Sequence, residues 1–170
     1  MADENTNPSE APQQAVPPQI RPLAQYIRDM SFENVLAQKN QSGNVTPDVS
    51  VQVGLDARKR PDHEDQYEVL CKFTIRNRDK ETDNTLFLLE LEYAGMFQVS
   101  NVEENQLHPF LLIEGPRQLF PYVRRLVADI THEGGFPPLN LEPVDFVQLY
   151  RQTLMQRAQK EQAAQGTPAN

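Results

Sequence analysis

Between Leu86 and Val99 the chain alternates with a period of two. The odd positions are Phe87, Leu89, Leu91, Tyr93, Gly95, Phe97 and Val99, and the even ones include Leu88, Glu90 and Glu92. Successive side chains of a strand point to opposite faces, so this run predicts a strand with one wholly apolar face. Burying Glu90 and Glu92 unpaired would cost several kcal/mol each, which obliges the other face to meet water or a partner. The fold must therefore contain a sheet covered on one side only.

Two earlier runs share the period: Val49, Val51, Val53 and Leu55, then Tyr67, Val69, Cys71, Phe73 and Ile75. The polar stretches 58–65, with Pro61, and 77–84 separate the runs as turns, so consecutive strands can run antiparallel. A shorter run near the start places Met30 and Phe32 inward and Asp29, Ser31 and Glu33 outward. Four strands in a meander are expected.

After residue 108 the period changes. Proline-initiated helices are predicted over Phe110 to Glu114 and Gln118 to Glu133, the second with Leu119, Phe120, Val123, Leu126, Val127 and Ile130 at i, i+3, i+4 spacing. Pro121 should kink or reset its start, and Gly134-Gly135 supplies a left-handed stop. A last helix from Val144 to about Gln156 has Asp145 in its first turn. Strands first and helices last make an α+β fold: a four-stranded antiparallel meander sheet followed by C-terminal helices. Residues 1–20, proline-rich and without Lys or Arg, are expected to be a disordered tail, and 157–170 a flexible one; 21–156 form the folded domain.

Composition closes off several functions. With 24 acidic against 16 basic side chains the net charge is −8, which disfavours a nucleic-acid backbone and favours a basic, protein partner. No Gly-rich phosphate loop is present, His63, His108 and His132 stand apart from any positioned nucleophile, and the single Cys71 alternates with Val69 and Phe73 on the apolar face. No enzyme activity, cofactor or metal is expected. The N-terminus lacks a signal sequence and no apolar run is long enough to span a bilayer, so a cytoplasmic protein without membrane insertion is expected.

Two segments remain as candidate sites. Asp29, Glu33, Glu90 and Glu92 surround Leu88 on the open face, which reads either as an ordinary solvated surface or as an acidic docking spot. The segment Phe136 to Phe146, Phe-Pro-Pro-Leu-Asn-Leu-Glu-Pro-Val-Asp-Phe, is too apolar for a solvent loop and too proline-rich for helix or strand. It either packs wholly into the core as a crossover or walls a groove lined by Phe136, Leu139, Leu141 and Phe146.

Four pieces in register, Met-Ser-Phe-Glu at 30–33, Phe-Leu-Leu-Glu at 87–90 with Gly-Met-Phe at 95–97, Leu-Phe-Pro-Tyr-Val-Arg at 119–124 and the crossover at 136–146, resemble the SecB family of bacterial protein-export chaperones. The resemblance runs over about residues 21–156. It implies an ATP-independent chaperone that holds unfolded preproteins and delivers them to the SecA ATPase, assembled as a homotetramer, a dimer of dimers. It further implies SecA binding at Asp29, Glu33, Leu88 and Glu90, client binding in a groove at Phe136, Leu139, Leu141 and Phe146, and a contact between dimers at Leu89, Leu91 and Tyr93. A general antiaggregation or toxin-controlling chaperone independent of SecA is the nearer alternative. A small-ligand carrier with its pocket under the crossover is the more remote one.

Overall fold

The alternation becomes a four-stranded sheet whose two central strands are buried on one face. The computed structural model describes residues 16–40 and 44–165, and the remainder of the two predicted tails, 1–15 and 166–170, lies outside the described residues. β1 is Gln19–Glu33, β2 Pro47–Lys59, β3 Gln66–Asp79 and β4 Thr85–Ser100, with a four-residue helix α1, Val35–Gln38, after β1. α2, Glu104–Glu133, and α3, Phe146–Gln165, follow the sheet.

All pairings are antiparallel, in the order β1-β4-β3-β2. The meander therefore holds for β2, β3 and β4 and fails for β1, which crosses over to pair with β4. The reason is the apolar run itself: β4 needs a partner strand on both edges. β1 supplies the second with Phe32 opposite Leu89 and Met30 opposite Leu91, so apolar residues share a face. β1 and β2 are left as the edges. The tail boundaries also move, since Gln19 and Ile20 lie in β1 and helix continues past Gln156 to Gln165.

β3 and β4 present Val69, Cys71, Phe73, Ile75, Phe87, Leu89, Leu91 and Phe97 to one side, each no more than 1% exposed. Leu119, Val123 and Val127 of α2 cover them. Helix and sheet come close at Gly115, where an added Cβ would lie 2.9 Å from Val69 Cγ2. Burial raises the Cys71 thiol to about 12, so it stays protonated and packs as a small apolar group.

The two expected helices at 110–114 and 118–133 are one helix of 30 residues that carries Pro109, Pro116 and Pro121 inside it. Each proline costs on the order of 3 kcal/mol in a helix interior. Ending the helix at one of them would lift Leu111, Leu119, Val123 or Val127 from the sheet, and each contributes about 1.5–3 kcal/mol by burial. Packing overrides local preference. The stop falls where expected, with Gly135 at φ +82°. Asp145 stands before α3 rather than in its first turn and caps it, its Oδ1 accepting from Gln148 N–H at 3.0 Å.

Candidate functional site

The open face is organised in rows across the strands. Ser50, Arg76, Leu88 and Glu33 form one row from β2 to β1; Gln52, Thr74, Glu90 and Ser31 form the next; Gly54, Lys72, Glu92 and Asp29 the third. The parity read from the sequence is thus correct: Leu88 and Glu90 face outward while Leu89 lies buried beneath α2. Leu88 is half-buried, and Asp29, Glu33 and Glu90 are exposed.

The carboxylates on this face are not equivalent. Glu92 is engaged by Lys72 Nζ at 3.3 Å and by Arg28 Nε at 3.9 Å, so its charge is largely neutralised. Asp29 only accepts from the Met30 N–H, at 2.9 Å. Among the described residues Asp29, Glu33 and Glu90 make no ion pair, leaving two uncompensated negative charges, Glu33 and Glu90, beside Leu88 and a third, Asp29, two rows away. Such a patch attracts a cation carried on an apolar segment.

The opposite, helix-covered side carries the second candidate. A cleft of about 330 Å³ opens between β2 and the crossover, lined by Val49 and Val51 of the edge strand, Phe73 of β3, and Leu139, Leu141 and Val144. Val49 and Val51 are 38% and 42% exposed. The crossover is fixed by the buried Thr131: its hydroxyl donates to Val127 O at 2.8 Å and accepts from Leu139 N–H at 2.9 Å. Of the four predicted groove residues, Leu139 and Leu141 line the cleft. Phe136 instead packs edge-on against Phe87 at 4.8 Å, and Phe146, 2% exposed, packs against Phe120 at 5.9 Å.

The family model described as preprotein translocase subunit SecB matches residues 13–157. The chain belongs to the SecB family. A protein-export protein SecB of Cereibacter sphaeroides is 58% identical over 97% of this chain and 98% of the relative, and one of Dinoroseobacter shibae is 55% identical over 96% and 97%. A Mycobacterium tuberculosis SecB-like chaperone, solved in complex with an antitoxin peptide, shares the fold at 18% identity, with a TM-score of 0.58 over 75% of this chain and 91% of that one.

Within this chain, Leu89 and Leu91 are fully buried and Tyr93 is 7% exposed, so the first two offer no surface to a second copy. Tyr93 stacks on Tyr122 of α2 at 6.4 Å, and Tyr122 is 47% exposed. The apolar surface that stands free lies beside it on β1: Leu23, Ile27 and Met30, each 41–43% exposed. Met30 does point to the helix side, as predicted, but it is left 42% exposed there.

Sequence reasoning missed three things. Val49 and Val51 were read as a strand face, and their place on a free edge depends on strand order, which no local pattern encodes. Thr131 could have been found, because it continues the Val123, Val127 spacing at the next helical position. The chief cation of the open face, Arg76, stands between Thr74 and Arg78 on the outward positions of β3, a pattern indistinguishable in sequence from an ordinary solvated face.

Proposed function

We propose that this protein is an ATP-independent holding chaperone of bacterial export, which binds unfolded preproteins, keeps them from folding and passes them to the SecA ATPase in the cytoplasm. The reading is carried by one observation: the apolar cleft and the acidic patch lie on opposite sides of the same sheet. A chain held in the cleft leaves Asp29, Glu33, Leu88 and Glu90 free for the motor. No catalytic chemistry is required of it, and no cofactor.

An unfolded chain offers apolar side chains at alternate positions, and their burial returns about 25 cal/mol per Å² before ordering costs. One cleft of this size holds only a short stretch. Tight binding then requires several clefts acting together through effective concentration, which a homotetramer built as a dimer of dimers supplies. Leu23, Ile27, Met30 and Tyr122 are the surface suited to contact between subunits. Leu89, Leu91 and Tyr93 act on that contact from beneath, by supporting α2.

The test is a pull-down of purified SecA and of an unfolded precursor with wild type and Glu90→Lys. Reversing that charge removes SecA binding by placing like charge against a basic partner and leaves precursor binding intact. Equal loss of both would overturn the division of labour.

A further inference from the structure

The open face is not uniformly acidic. A trough of about 670 Å³ crosses it, lined by Glu33 and Leu88 together with Lys39, Arg76 and Arg78. The three cations differ in their commitments. Arg78 is spent internally, its Nε 3.0 Å from Asp48 and its Nη1 2.7 Å from Asp83. Arg76 is oriented but not neutralised: Nε and Nη2 both donate to the Thr85 hydroxyl, at 3.0 and 2.7 Å, which fixes the plane of the guanidinium and leaves its remaining donors free. Among the described residues neither Arg76 nor Lys39 has a carboxylate within salt-bridge distance. In a chain of net charge −8, an oriented and unpaired guanidinium at the wall of a trough is a built acceptor for an anion.

We infer that Arg76, assisted by Lys39, binds an acidic side chain of the segment that docks on this face, so the occupant carries both a cation for Glu90 and a carboxylate for Arg76. The inference rests on the docking role given to the open face and adds what the docked segment must contain. A phosphate backbone does not suit the site, because Glu33 and Glu90 stand beside it and would repel a continuous line of negative charge. A peptide alternating in sign does. Glu90 lies diagonally from Arg76 on the neighbouring strand, about 7–8 Å away at the backbone, with the Arg76 guanidinium turned toward Thr85. Residues i and i+2 of an extended segment are separated by about 6.6 Å and face the same way. The shortest segment whose long side chains reach both groups reads Lys or Arg, any residue, then Asp or Glu.

The experiment follows the Leu88 methyl resonances of the full chain at low salt during titration with two peptides, both N-acetylated and C-amidated: Gly-Lys-Ser-Glu-Gly and Gly-Lys-Ser-Gln-Gly. The Glu peptide is expected to bind about fivefold more tightly, the upper range for an exposed ion pair. Arg76→Gln removes that preference without abolishing binding of the Gln peptide, and Arg76→Lys restores part of it. Equal affinity for the two peptides in wild type, a preference that survives in Arg76→Gln, or no movement of Leu88 with either peptide would each overturn the inference. If SecA binding proves indifferent to Glu90→Lys while the peptide preference follows Arg76, the docking function falls and the carboxylate site stands.

Discussion

At the scale of single residues, two polar side chains hold segments that hydrophobic burial alone would leave loose. Asp79 closes the β3–β4 turn: Thr82 donates to Oδ2 at 2.7 Å, and the Thr46 N–H donates to Oδ1 at 3.0 Å from beyond the neighbouring edge strand. These bonds, the Thr82 hydroxyl first, hold its carboxyl below the usual carboxylate range. A depressed folded value means the stabilisation is complete above the unfolded pKa, about 3.9, and is lost as pH falls through the lower folded value. Acid titration of unfolding should therefore show wild type more stable than Asp79→Asn near neutrality, with the difference vanishing below that window; a difference that persisted in acid would exclude this origin. Thr131 performs the same service for the crossover. Thr131→Val keeps its shape but strands the Leu139 N–H, and should cost about 1–3 kcal/mol in denaturant unfolding while loosening client binding.

At the scale of elements, the decisive contest is between local propensity and burial in α2. Three prolines argued for a broken helix, and the run of apolar residues on both sides of them kept it whole. Pro121 is exposed, so its ring contributes little packing to offset the lost hydrogen bond. Pro121→Ala should raise stability by about 1 kcal/mol or more in thermal or urea unfolding. A fall instead would mean that the helix requires the local bend that proline imposes. The strands were legible for the opposite reason. Period two in 67–75 and 86–99 is enforced by burial on one face, so the outward Glu90 and inward Leu89 could be read directly. Strand order could not, because the placement of β1 against β4 is settled by which edge remains to be covered. The crossover was half legible: its apolar content showed that it packs, but whether Phe136 or Val51 borders the cleft depends on the edge strand beside it.

At the scale of the whole molecule, Leu23, Ile27, Met30 and Tyr122 stand exposed, and the proposed assembly rests on their burial against a second copy. Ile27→Asp should lower the mass found by light scattering and leave the protomer folded by circular dichroism. Leu91→Asp should do something different. Its side chain is fully buried beneath α2, so an unpaired charge there unfolds the protomer itself, and loss of assembly would accompany loss of structure. Finding Leu91→Asp folded but monomeric would restore Leu91 to the subunit contact and displace β1 from it.

One small bond joins regions that otherwise look separate. Asn34, the residue after Glu33, caps α1 through its Oδ1 and donates its Nδ2 to Gly134 O at 2.8 Å, while a methyl group at Gly134 would collide with the Phe32 ring. Gly134 is the last step before the crossover leaves α2. The end of β1 and the root of the crossover are thus riveted at one joint. A displacement of Glu33 that carries Asn34 with it must move or break the bond to Gly134, from which the wall of the cleft is hung.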